Sequence, residues 1–178
     1  KQQNPKGGTA DAAKIGLTKI AKSTKVLIII NGDDSAFYRL KTVKNILYIH
    51  NVRDRKLTFV SLIKNDPTGL GRVVRGKNGL ITKIVEEKDA SDTVKEITEI
   101  NAACYIFNAK FLRESIPNLP KSSVTGEYYI VSLVDFASKK GEKIDVLHVK
   151  NYAWRGVNTV KELEEAERVC GKNLNSYN

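Results

Sequence analysis

Short apolar runs alternate along this chain with longer segments whose apolar residues recur every three or four positions. This alternation limits the fold more than any other feature, because strands joined by helices build an α/β sheet with crossover helices. Residues 25–30 read as a strand buried on both faces, as parallel strands usually are. Asn31-Gly32-Asp33-Asp34 breaks that strand at its carboxyl end, where open α/β sheets bind ligands. Residues 57–63, 102–107 and 144–149 read as further strands. Residues 71–75 and 80–85 flank Lys77-Asn78-Gly79, and Asn-Gly between apolar runs signals a hairpin. Asp66-Pro67-Thr68-Gly69 carries turn chemistry.

The helical segments follow from capping and periodicity. Thr9 is placed to cap a helix reaching about residue 22, with Ala13, Leu17 and Ile20 near one face. From Ser35, Ala36, Leu40, Val43 and Leu47 recur at helical spacing as far as about His50. A short helix is expected over 110–115. A longer one is expected over 125–139, with Ile130, Leu133, Val134 and Ala137 on one face. Asp34 is expected to cap the second helix. Thr159 is expected to cap the last, which turns Val160, Leu163, Ala166 and Val169 inward. No repeat, linker or low-complexity tract interrupts the chain, so residues 1–178 read as one domain.

Composition narrows the partners. The chain has 178 residues, 41% of them hydrophobic, enough for one real core. No apolar stretch approaches the roughly 20 residues needed to span a bilayer. Of the net charge of +10, most lies early: residues 1–56 hold 12 basic and 4 acidic side chains, against 18 and 16 in the rest. A basic half invites a polyanion, either a nucleoside triphosphate or nucleic acid, although a solvated lysine surface gives the same count. Aromatic residues make up only 7% and are not interleaved with the basic ones, which argues against nucleic acid. Cys104 and Cys170 lack metal-ligand spacing, and only His50 and His148 could join them in a zinc site. Cys104 lies in an apolar run and reads as a buried thiol in a reducing compartment, the cytoplasm. The chain contains no methionine, so it reads as part of a longer or trimmed polypeptide.

Four motifs stand in fixed order at the edges of apolar runs: Val85-Glu86-Glu87-Lys88-Asp89-Ala90, Glu99-Ile100-Asn101, Gly126-Glu127-Tyr128-Tyr129 and Gly156-Val157-Asn158. Gly8-Thr9-Ala10 and Asn31-Gly32-Asp33 precede them. Together they resemble the sugar-nucleotidyltransferase pattern of N-acetylglucosamine-1-phosphate uridylyltransferases. The resemblance implies a mainly parallel, mixed α/β sheet of the nucleotide-diphospho-sugar transferase type. It also implies that this chain is the last two-thirds of the domain, without the glycine-rich loop that cradles the triphosphate.

The same resemblance implies the site. Asp33 and Asn158 would hold Mg²⁺, which takes few protein ligands and leaves room for phosphate oxygens. Gln3, Gly8 and Thr9 would contact the uracil base. A carboxamide suits that task because it both donates and accepts. Gly71, Glu86, Asn101 and Asn158 would contact the sugar, with Gly71 letting backbone approach the ligand. Glutamate only accepts and asparagine does both, a pair suited to telling epimers apart. No side chain is assigned acid–base work, since phosphoryl chemistry of this kind needs alignment and charge neutralisation. Rival readings are a transferase for another hexose 1-phosphate or for choline phosphate, or a non-catalytic binding module. Two departures touch the sugar pocket. Ala102-Ala103 stands where the family has Thr-Gly, and Asn31 stands where a tyrosine is common.

Overall fold

The computed structural model describes residues 7–33, 35–150, 157 and 159–174. In chain order the elements are α1 (Gly8–Leu17), β1 (Val26–Ile30), a 3-10 turn (Ser35–Phe37), α2 (Leu40–Val52) and β2 (Leu57–Ile63). The hairpin β3 (Arg72–Arg75) and β4 (Ile81–Val85) follows, then a 3-10 turn (Glu87–Asp89), α3 (Asp92–Lys95) and β5 (Glu99–Asn108). The chain continues through α4 (Ala109–Ser115), α5 (Ser132–Lys139), β6 (Ile144–His148) and α6 (Val160–Leu174).

The strands form one mixed sheet in the order β4-β3-β5-β2-β6, with β1 also paired to β5. Among the described strands β1, β2, β3 and β6 share one direction; β5 is inserted between β1 and β2 and runs against them. Side chains alternate across this sheet and divide the core in two. Leu57, Phe59, Tyr105 and Phe107 pack with Ala10 of α1, Leu112 of α4 and Leu133 of α5. Val60, Leu62, Cys104 and Ile106 face the other way, onto Ile46 of α2 and Ala166 of α6. The sheet is thus covered by helices on both faces, as the alternation of segments implied. Burial pushes the Cys104 thiol up to about 12, so it stays protonated within the core.

Several local expectations are corrected by tertiary contacts. β1 is not buried on both faces: among the described residues only β5 pairs with it, and Ile28 is 40% exposed. Thr9 does not cap α1. The N-cap is Gly7, and the Thr9 hydroxyl instead accepts from the Ile130 N–H at 2.9 Å. α1 also stops at Leu17. The helix expected from Ser35 begins at Leu40, after the 3-10 turn. The helix expected over 125–139 is only Ser132–Lys139, because Gly126 has φ +73° and the Tyr128 N–H donates to the Gly7 carbonyl. Asp34 lies outside the described residues. Thr159 does cap α6: its hydroxyl accepts from the Glu162 N–H at 3.2 Å and donates to the Glu162 carboxylate.

Candidate active site

Strand register assembles the centre of the site. Arg72 on β3 faces Val85 on β4 and Ile100 on β5. One residue further along each strand lie Gly71, Glu86 and Asn101, which therefore form a single row across three strands. Two contacts close it. The Asn101 N–H donates to the Gly71 carbonyl at 2.9 Å, and a Cβ built on Gly71 would sit 3.3 Å from Glu86 Oε2. A side chain at Gly71 would crowd the Glu86 carboxylate and Ile84, which would have to give by a few tenths of an ångström. Burial, reinforced by Asp89 nearby, pushes the Glu86 carboxyl above its usual range. No described residue donates a hydrogen bond to it.

Asn101 is 7% exposed, and its amide is oriented from within the protein. Oδ1 accepts from the Ala103 N–H at 3.2 Å, while Nδ2 donates to the Tyr105 hydroxyl at 2.5 Å. These two bonds leave one N–H and one lone pair of the amide uncommitted among the described residues. The backbone turns sharply here. Ala103 has φ +54°, and the β2–β5 register shifts between Phe59 and Ser61. This bend sits at Ala102-Ala103, where the resembling family carries Thr-Gly.

Asp33 arrives at the same bend from β1. The Asn31 N–H reaches the Ala103 carbonyl at 3.4 Å, and the Ser35 hydroxyl closes the Gly32 turn at 2.8 Å. The Asp33 side chain is exposed, and no described residue donates to it or pairs with it. Its environment is unlike that of a turn-locking aspartate such as Asp66, which accepts from the Thr68 N–H. A hard oxygen unengaged by the described residues suits a divalent cation that keeps waters and phosphate oxygens. Among the described residues no three His, Cys, Asp or Glu side chains gather around a common point.

Gly8 and Thr9 lie apart from that row, at the start of α1. Gly8 has φ +78°, and a Cβ there would meet the Tyr128 carbonyl at 2.6 Å, which only glycine avoids. The Ala10 N–H donates to the same carbonyl at 2.9 Å, and Thr9 holds Ile130. Two of the motifs singled out in the sequence are therefore one structural unit: Gly8-Thr9-Ala10 is bonded to Gly126-Glu127-Tyr128-Tyr129. Gln3 and Asn158 lie outside the described residues.

Sequence reasoning missed what surrounds the row. It continues across β5 to Ser61 on β2 and His148 on β6. Ser61 donates to Glu99 Oε1 at 2.8 Å and so accepts from His148 Nδ1 at 3.2 Å. Arg75 holds the same carboxylate with two bonds, at 2.8 and 2.9 Å. Burial pushes Glu99 up, but the hydrogen bonds from Arg75 and Ser61 outweigh it and leave the carboxyl below its usual range. One signal was available: Ser61 is a polar residue inside the apolar run of β2.

Fold and row together define an α/β protein of the nucleotide-diphospho-sugar transferase type. A solved structure from Bacillus anthracis, described as a glucose-1-phosphate thymidylyltransferase in complex with a sucrose, superposes with a TM-score of 0.73. That likeness covers 94% of this chain and 63% of the other at 18% identity, and it speaks for the fold. The chain belongs to the nucleotidyl transferase family, whose pattern matches residues 1–172. It is 33% identical over 169 residues to the bifunctional protein GlmU of Bacillus subtilis, and 38% identical over 184 residues to that of Aquifex aeolicus. These alignments take in 94% and 99% of this chain but only 37% and 39% of the relatives. No helix among the described residues is long and apolar enough to cross a membrane.

Proposed function

We propose that this chain carries the sugar-binding and metal-binding part of a Mg²⁺-dependent nucleotidyltransferase. In that reaction a sugar 1-phosphate oxygen attacks the α-phosphorus of a nucleoside triphosphate and pyrophosphate leaves. The observation that carries this reading is the cross-sheet row Glu86–Gly71–Asn101 beside the exposed Asp33 carboxylate. An acceptor-only group and a donor–acceptor group one strand-step either side of a bare backbone suit a polyhydroxylated ring. An exposed carboxylate at a strand end, unpaired among the described residues, suits Mg²⁺, and Asn158 would be its second expected ligand.

UTP and N-acetylglucosamine 1-phosphate are the favoured pair, on the resemblance of Gly8-Thr9, Glu86 and Asn101 to the uridylyltransferase motifs. Gly8 and Thr9 would meet the base, together with Gln3. A different sugar within the same class is the alternative: the bend beside Asn101 is built from Ala102-Ala103 instead of Thr-Gly, and Ala102 is fully buried on the α2 side of the sheet. The test is pyrophosphate release by the complete polypeptide with Mg²⁺, across a grid of nucleoside triphosphates and sugar 1-phosphates. Release with UTP and N-acetylglucosamine 1-phosphate is the expected outcome, and release with another pair corrects the substrate alone. A folded protein silent over the whole grid would overturn the reading in favour of a binding module.

A further inference from the structure

Arg72 is the largest fully buried side chain of the described fold, at 1% exposure. An arginine that deep is costly unless every direction of its guanidinium is met. Its partners come from three separate segments. Nη1 donates to the Leu70 carbonyl, in the turn before Gly71. Nε donates to the Lys95 carbonyl at the end of α3, at 3.3 Å. Nη2 lies 2.7 Å from Glu87 Oε2, on the residue that follows Glu86, an ion pair whose angles fall short of a hydrogen bond. Arg72 therefore ties together the turn that presents Gly71, the corner that presents Glu86, and the segment leading into β5 and Asn101.

It does so without standing in the row itself. Side chains alternate along β3, so Arg72 projects to the face opposite Val73, which packs on the α5 side with Ile84. Among the described residues none donates to the Glu86 carboxylate itself. The direction of that carboxylate is set by the backbone of the corner, and Arg72 holds the corner through Glu87. A planar fork with fixed donor directions can clasp three segments at once, whereas an ammonium on a flexible stem cannot.

We infer that Arg72 is a positioning residue for sugar recognition: it fixes the Glu86 corner against Gly71 before ligand arrives, so that binding does not have to order it. This rests on the reading of the Glu86–Gly71–Asn101 row as the sugar 1-phosphate site. Holding a recognition group in its bound geometry lowers the cost of binding without adding a contact.

The test compares Arg72→Lys and Glu87→Gln with the unsubstituted full-length protein. Calorimetry gives the N-acetylglucosamine 1-phosphate affinity, steady-state kinetics gives the KM of each substrate, and hydrogen exchange follows the amides of Glu86–Asp89. The expected result is a sugar phosphate affinity weakened by roughly ten- to a hundredfold in Arg72→Lys and less in Glu87→Gln. The KM for nucleoside triphosphate should stay unchanged, and exchange should quicken in the corner alone. Sugar affinity equal to the unsubstituted protein, with the corner exchanging faster, would overturn the inference and leave Arg72 a structural clasp. Parallel loss of both KM values and of thermal stability would overturn it too. If Arg72→Lys does not fold, Glu87→Gln decides between the same outcomes. If the unsubstituted protein binds no sugar 1-phosphate, the functional reading itself fails and takes this inference with it.

Discussion

The Ser122 hydroxyl donates to Asp89 Oδ1 at 2.8 Å, across 33 positions of sequence. Asp89 ends the 3-10 turn that begins just after Glu86. The Ser122 hydroxyl oxygen also accepts from the N–H groups of Val124 and Thr125, and its own N–H donates to the Glu127 carbonyl. From there the Tyr128 N–H reaches the Gly7 carbonyl at 3.1 Å. One hydroxyl therefore joins the corner expected to meet the sugar to the loop that supports Gly8 and Thr9.

Ser122→Ala should loosen that junction. It removes a hydrogen bond to a carboxylate and leaves two loop N–H groups to water, for an expected loss of about 1–3 kcal/mol. Urea unfolding measures the loss, and hydrogen exchange locates it in residues 122–129. An unchanged unfolding midpoint would mean that backbone bonds alone hold the loop.

Glu86→Gln should separate stability from binding. The ordinary sign for a carboxylate is reversed here, because burial raises the Glu86 carboxyl above its unfolded value. Ionisation then favours the unfolded state, a penalty present at neutral pH and relieved as pH falls through the raised value. The variant should melt higher than the parent at pH 7–8, and the difference should vanish in acid. Sugar phosphate binding should weaken at neutral pH, and the difference should shrink in acid, where the parent carboxyl is itself neutral. Melting scans at several pH values would check this, and a variant less stable at neutral pH would show that the ionised carboxylate is held favourably.

Ala103 tests the bend. A left-handed alanine costs about 1–2 kcal/mol, and glycine removes that cost while losing some of it to unfolded-chain entropy. Ala103→Gly should therefore be neutral or stabilising by several tenths of a kcal/mol. Ala103→Val, with a branched Cβ at φ +54° in a buried position, should lose about 2 kcal/mol or more. Chemical denaturation of both variants distinguishes them. Equal stabilities would mean that the bend relaxes freely.

Asp33→Asn should leave folding almost untouched, within about 0.5 kcal/mol, as expected for an exposed group without a partner among the described residues. Pyrophosphate release should fall by at least two orders of magnitude, the scale of losing a group that fixes metal and phosphate. A stability loss matching the activity loss would mark the aspartate as structural.

How much of this was legible in the sequence depended on how local the cause was. β2 was read at its observed limits because the run over 57–63 is a buried strand flanked by turn residues. The α6 cap was legible because Thr159 and Glu162 bond within one turn. Thr9 was misassigned because its hydroxyl is taken by Ile130, 121 positions away, and no local pattern announces that. The start of α5 was misplaced for the same reason, since the apolar spacing after Ile130 extends backwards across a glycine whose φ forbids the helix. At the site, the residues that form the row were legible from motif resemblance. The partners of Arg72 and Ser122 around it were not, because they lie in distant segments that only the tertiary fold brings together, and Ser61 left only the sign of a polar residue in an apolar run.

The row carries a consequence for how this protein can vary. Its membership is set by pairing across the Lys77–Gly79 turn, and neighbouring residues of a strand face opposite ways. Insertion of a single residue into that turn would leave a hairpin standing while presenting Val85 where Glu86 now lies. Loop length, ordinarily the most freely varied property of a surface, would here decide which side chain meets the ligand.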